Sequence, residues 1–102
     1  MKLDAFVRLT GSESRLDAQK GAQVVRMQVK QLCCGRGVPL ILMSMYMAFG
    51  LELHKLQRKE ITGETAAIEA EVYRARWVSR GLDTAVLAAI RSEIFNIPAT
   101  TP

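Results

Sequence analysis

The sequence predicts a mostly α-helical fold, three to four helices around one apolar helix, with an N-terminal segment that reads either as a short strand paired across a dimer or as a frayed terminus. Three observations carry this. The longest apolar run, VPLILMSMYMAFGLELHKL from Val38 to Leu56, has no charged residue before Glu52. Apolar residues recur at three- and four-residue spacing in the stretches on both sides of it. The tetrapeptide Arg80–Gly81–Leu82–Asp83 joins a helix-ending glycine to a helix-capping aspartate.

The 102 residues are read as a single domain, with an arm or strand over 1–11, a helical body over 12–97 and a tail over 98–102. An apolar content of 49% argues against disorder, and a net charge of +4 suits an acidic partner or nucleic acid as well as an ordinary basic protein. The first residues lack the apolar core of a secretory signal, so a cytoplasmic protein is expected.

In residues 2–10, Leu3, Ala5, Val7 and Leu9 alternate with Lys2, Asp4, Phe6, Arg8 and Thr10, the period of a strand or extended arm. A lone strand leaves its backbone groups unsatisfied, so it calls for pairing, most simply with a second subunit. Gly11 and Ser12 end that pattern, and Ser12 or Ser14 is placed to cap a helix reaching about Cys34. Its stripe is Ala18, Gly21, Ala22, Val25, Val29 and Leu32, small first and bulky later, which predicts a close crossing early and ordinary packing afterwards. Arg15, Gln19, Arg26 and Lys30 share a flank that reads as a solvated face or as a row along phosphates. Cys33 and Cys34 are adjacent, a spacing unsuited to a disulfide or a chelate, and are expected to pack as small apolar groups.

Gly35 to Gly37 end this helix and Pro39 suits the first turn of the next. Within that next helix Leu42, Met45, Tyr46, Phe49, Leu53 and Leu56 form a core-facing stripe. The other side holds Leu40, Met43, Met47 and Leu51, with Ser44 and Ala48 small enough for another backbone to come close. The uncharged window is shorter than the roughly 20 residues that cross a bilayer, so a membrane partner is not the expectation. Beyond Leu51 a wet face of Glu52, His54, Lys55, Arg58 and Lys59 begins, and His54 is read as a surface histidine.

Ile61 to Gly63 interrupt the chain, and Thr62 or Thr65 caps a helix to about Arg80. Ile68, Val72 and Ala75 line one side of it; Ala66, Ala70, Tyr73 and Trp77 line the other. The aromatic side is the better candidate for an intermolecular surface, because both rings supply large area with a polar tip; the alternative is a small bundle that uses both sides internally. After the corner, Val86, Leu87, Ile90, Ile94 and Ile97 make the stripe of a last helix that ends before Pro98.

No phosphate loop, HExxH, CxxC or GxSxG occurs, so no enzyme, cofactor or metal is expected. Of the carboxylates of Glu52, Glu60, Glu64, Glu69 and Glu71 most lie within reach of basic residues, as Glu71 does of Arg74 at i+3, and helix-stabilising pairs explain them.

The segment Ser44 to Glu60, through Ser44, Met45, Gly50, Leu51, His54, Gln57 and the charged Arg58, Lys59 and Glu60, resembles the helix of the TraM family of plasmid conjugation proteins that leads from the DNA-binding unit into the tetramerising part. The order of strand and helices is similar to that family's ribbon-helix-helix arrangement. Against the family pattern, the first helix is longer and the next begins with Val38 and Pro39 in place of a polar cap. The resemblance implies a two-stranded ribbon that turns Lys2, Arg8 and Thr10 to the major groove of DNA, with Arg15 or Lys30 near phosphate, and Arg26 on the same flank is a further candidate for nucleic-acid contact.

The residues thus favour a non-enzymatic, self-associating helical binding or adaptor module. Its oligomer interface would use Leu42, Met45, Tyr46, Phe49, Leu53, Tyr73 and Trp77, and a further protein would be a second kind of partner. A ribbon-helix-helix DNA-binding protein of conjugation or transcription type is the alternative, and a small membrane-associated protein a third.

Overall fold

The structure, a computed structural model, describes residues 15–98, and these are mostly helical with no strand among them. The expected strand over 2–10 and the caps at Ser12 and Ser14 lie outside the described residues. Among the described residues four helices follow one another: α1 (Arg15–Gly35), α2 (Leu40–Arg58), α3 (Gly63–Ser79) and α4 (Thr84–Ala89), the last running on as a π-helical turn, Ile90–Ile94. Among the described residues no helix is long and apolar enough to cross a membrane.

Helix ends are closed in a recurring way. After α1 the N–H of Val38 donates to the Cys33 carbonyl (3.0 Å) and that of Gly37 to Cys34 (3.2 Å). After α2, Ile61 donates to Leu56 (3.0 Å) and Glu60 to Gln57 (2.9 Å); after α3, Leu82 donates to Trp77 (3.1 Å) and Gly81 to Val78 (2.9 Å). These are Schellman closures, which need a left-handed residue just past the helix. Gly37 (φ 71°), Glu60 (φ 59°) and Gly81 (φ 98°) fill that place. In each, the next residue is apolar and folds back onto the last turn, so Val38, Ile61 and Leu82 all join the core or its margin. The corner at Arg80–Asp83 forms as expected: the Asp83 side chain accepts from the Ala85 N–H at 2.7 Å, and the Asp83 N–H donates to the buried Tyr46 hydroxyl at 2.9 Å.

The last helix departs from expectation. Its regular part is short, the π turn ends at Ile94, and Ile97 lies beyond it with its N–H on the Arg91 carbonyl (3.3 Å). Asn96 takes the left-handed conformation (φ 50°) that this closure requires.

Packing is led by an antiparallel pair. Gly21 of α1 lies against His54 of α2, while Val25 and Val29 lie against Gly50. A Cβ at Gly50 would stand 2.8 Å from Val29 Cγ2, so the absence of a side chain is what lets the two axes come this close. Tyr46, Phe49 and Leu53 of α2 and Leu87 and Ile90 of the last segment belong to the same core cluster and are, together with Val29 and Cys33, its largest fully buried side chains.

Two expectations about faces are corrected. On α3 the aromatic side turns inward: Ala66, Ala70 and Trp77 are buried and Tyr73 half-buried, whereas Ile68, Val72 and Ala75 face solvent. The physical reason lies on α2, where Glu52 accepts the Trp77 indole N–H (2.6 Å) and Arg76 Nη1 (2.8 Å) and so fixes the rotation of α3 about its axis. His54, expected on the surface, is half-buried with both ring nitrogens out of solvent, its ring lying over the bare backbone of Gly21.

Candidate functional site

The residues expected at an oligomer interface fall into two groups. Tyr46, Phe49, Leu53 and Trp77 are 2%, 0%, 0% and 8% exposed, covered by the chain's own segments. Their need for burial is met within one chain, so they are core residues here rather than a face offered to a partner. Leu42, Met45 and Tyr73 are half-buried at the margin of the core. Tyr73 is turned back onto its own helix, its hydroxyl donating to Glu69 (3.3 Å) and the Arg76 guanidinium lying 5.3 Å from its ring centre. Burial and the neighbouring Glu69 carboxylate push its phenol up from the ordinary range.

What α2 offers to solvent is its other side. Leu40 and Ile41 are 77% and 84% exposed, Ser44 is exposed, and Met47, Ala48 and Leu51 are half-buried. No charged residue falls between Gly37 and Leu51, so one helix displays an uncharged, largely aliphatic strip for most of its length. Other exposed apolar side chains are Val24 and Met27 on α1 and Ile68 and Val72 on α3.

Of the residues named for contact with nucleic acid, Lys2, Arg8 and Thr10 lie outside the described residues. Arg15 opens α1, and Arg26 and Lys30 are exposed on it, Arg26 accompanied by Gln23, whose side-chain oxygen accepts from it at 3.1 Å.

A separate polar cluster lines an open cleft of about 550 Å³ between α3 and the α4–π segment. Glu71 holds Arg74 through Nε (3.0 Å to each oxygen) and Nη2, and accepts from Arg91 Nη1 at 3.1 Å. Arg91 Nη2 donates to the Pro98 carbonyl at 2.5 Å, which ties the segment after the π turn to α3. The Arg74 guanidinium holds the Glu71 carboxyl below the usual range against the opposing effect of burial, with Arg91 adding to it. Arg91 is 7% exposed, and it is the buried charged residue among those described. It was missed in the sequence, although the signal was present: Arg91 follows Leu87 at i+4 and so falls inside the apolar stripe of the last helix.

Cys33 is buried and Cys34 exposed, and burial pushes the Cys33 thiol up, with Cys34 adding to the shift. A thiol so protonated is a packing group rather than a nucleophile. Among the described residues no three His, Cys, Asp or Glu side chains gather as metal ligands. Comparison of the chain with protein-family models, with curated proteins and with solved structures finds no match.

Proposed function

We propose that this chain is a non-enzymatic helical binding module that associates with a second copy of itself through the outward strip of α2. The observation that carries the reading is the exposure of Leu40 and Ile41, at 77% and 84%, on a strip that no charge interrupts before Glu52. The inner half of the same helix is already satisfied by α1, α3 and the π turn, so a partner is needed only for the outer half. Exposed Ser44 and half-buried Ala48, one helical turn apart, leave room for a facing helix between Leu40 and Leu51. Burying one side chain of the size of Ile41 contributes roughly 1.5–3 kcal/mol, so two or three of them in each copy are of the order that association requires.

The test is solution mass measured by light scattering on the wild type, Ile41→Glu and Met47→Glu. The wild type is expected as an oligomer at micromolar concentration, and each variant as a monomer with unchanged helical circular dichroism. A monomeric wild type up to about 100 μM, equivalent to a self-affinity weaker than roughly 5 kcal/mol, removes the reading.

A second reading draws on Arg26 and Lys30, both exposed on the solvent side of α1 with Gln19 and Gln23. It takes that row as a contact to nucleic-acid phosphates, and the same samples decide it by duplex DNA titration at low and moderate salt. Binding that falls steeply with salt and weakens on Arg26→Ala supports it, and no binding at low salt excludes it.

A further inference from the structure

The cluster of Glu71, Arg74 and Arg91 is larger than its structural duty requires. Fixing the segment after the π turn needs Arg91 on the Pro98 carbonyl and one carboxylate to balance the buried charge. Glu71 supplies that carboxylate. Arg74 then adds a second cation to a carboxylate already neutralised, leaving the wall of the cleft with two guanidinium groups against one carboxylate.

Geometry leaves this excess charge usable. Arg74 commits Nε and Nη2 to Glu71, so among the described residues its Nη1 remains to donate elsewhere. Arg91 is held at both Nη atoms and 7% exposed, so it is positioned in advance and loses little freedom when a ligand arrives. The remainder of the lining divides into the hydroxyl-bearing Thr84 and Ser92, the latter donating to the Ala88 carbonyl at 3.0 Å, and the apolar Ala85, Ala88 and Ile97. A volume of about 550 Å³ falls in the range of small-molecule sites, which pair an apolar floor with a few convergent polar groups.

We propose that this cleft binds a small organic anion, a carboxylate or phosphate monoester, whose oxygens accept from Arg74 beside Arg91 and whose apolar part lies on Ala85, Ala88 and Ile97. A guanidinium presents its N–H groups in the fork that both kinds of anion accept, so one chemistry serves either source. Glu71 sets the strength. It aligns both arginines and also repels an arriving anion, which makes the site a moderate binder, in about the millimolar range or somewhat tighter. The site is independent of the outward strip of α2, and the result of either test leaves the other standing.

The experiment titrates the full chain with phenyl phosphate and, separately, with benzoate, reading backbone amide shifts and melting temperature. A saturable response centred on Thr84 to Ser92 and the facing turn of α3 is expected for at least one probe, and the probe that binds more tightly names the source. Arg74→Gln, which removes a part-exposed side chain, is expected to keep the melting temperature within a few degrees and to weaken binding about tenfold or more. Glu71→Gln removes the repelling charge and is expected to tighten binding. No saturable response to either probe, or the same affinity in Arg74→Gln as in the wild type, overturns the proposal. Should Glu71→Gln fail to fold, the Arg74→Gln titration and the shift map decide alone.

Discussion

Replacing Gly50 by alanine sets two opposed effects against each other at the crossing of α1 and α2. In a helix interior the exchange removes the conformational cost of glycine and is worth about 1 kcal/mol. Against this, the new Cβ would stand 2.8 Å from Val29 Cγ2 and 3.3 Å from Val25 Cγ1. Neither atom is the tip of a flexible chain. Valine is stiff at χ1, and Val29 is fully buried, so relief requires the two helices to part slightly and costs roughly 1–3 kcal/mol. The expected sum is a loss of about 0–2 kcal/mol. Val29→Ala alone should cost on the order of 2 kcal/mol, from two lost methyl groups and the space they leave. In that background the closer clash is gone and the added methyl fills the space, but the 3.3 Å approach to Val25 Cγ1 remains, so Gly50→Ala should now stabilise by up to about 1 kcal/mol. The assay is urea unfolding of the four proteins of the double-mutant cycle, read as midpoint at constant slope. A reversal of sign between the two backgrounds supports the packing. The same gain in both would refute it, because Gly50 would then face no neighbour from α1.

Further outcomes follow from other parts of the fold. Glu60 occupies the left-handed position after α2 at φ 59°, where a side chain costs roughly 1–2 kcal/mol; Glu60→Gly should raise stability by about 0.5–1 kcal/mol, seen as a higher melting temperature, and no gain would mean that this closure is not formed. The Glu71 carboxyl is held below its ordinary value of 4.5 in the folded chain, chiefly by Arg74. Its folded pKa lies below the unfolded one, so its contribution is present above about pH 4.5 and is lost as pH falls through the lowered value. The wild type should therefore lose its advantage over Glu71→Gln on acidification below that point, measured by chemical denaturation from pH 6 to pH 3, and parallel curves would count against the ion-pair geometry.

The helices and their ends were largely legible because the signals are local. Gly37 and Gly81 announce left-handed closures, Asp83 announces a cap, and the stripes through Val25, Val29, Phe49 and Leu53 lie on the buried sides observed. Glu60 was not legible as a helix stop, since nothing in a glutamate predicts a positive φ; the fold-back of Ile61 onto the end of α2 holds it there. The orientation of α3 was misjudged for a related reason. Its two sides are both apolar, one aliphatic and one aromatic, and periodicity does not rank them. The choice came from a long-range partner, Glu52, which accepts the Trp77 indole and the Arg76 guanidinium together. The charged cleft was half legible: Glu71 and Arg74 are visible as an i,i+3 pair, but Arg91 reaches them from a different helix.

Which stretches are helices and where most of them stop was written in the sequence, because hydrogen bonding along a helix and its side-chain period depend on neighbours three or four positions away. Only the tertiary structure decided which of two apolar sides is covered, that Gly50 is the point of closest approach between α1 and α2, and that an arginine from the last helix completes a cluster begun on α3. Those outcomes depend on groups distant in the chain competing for the same space and the same charges, and no local spacing records who wins.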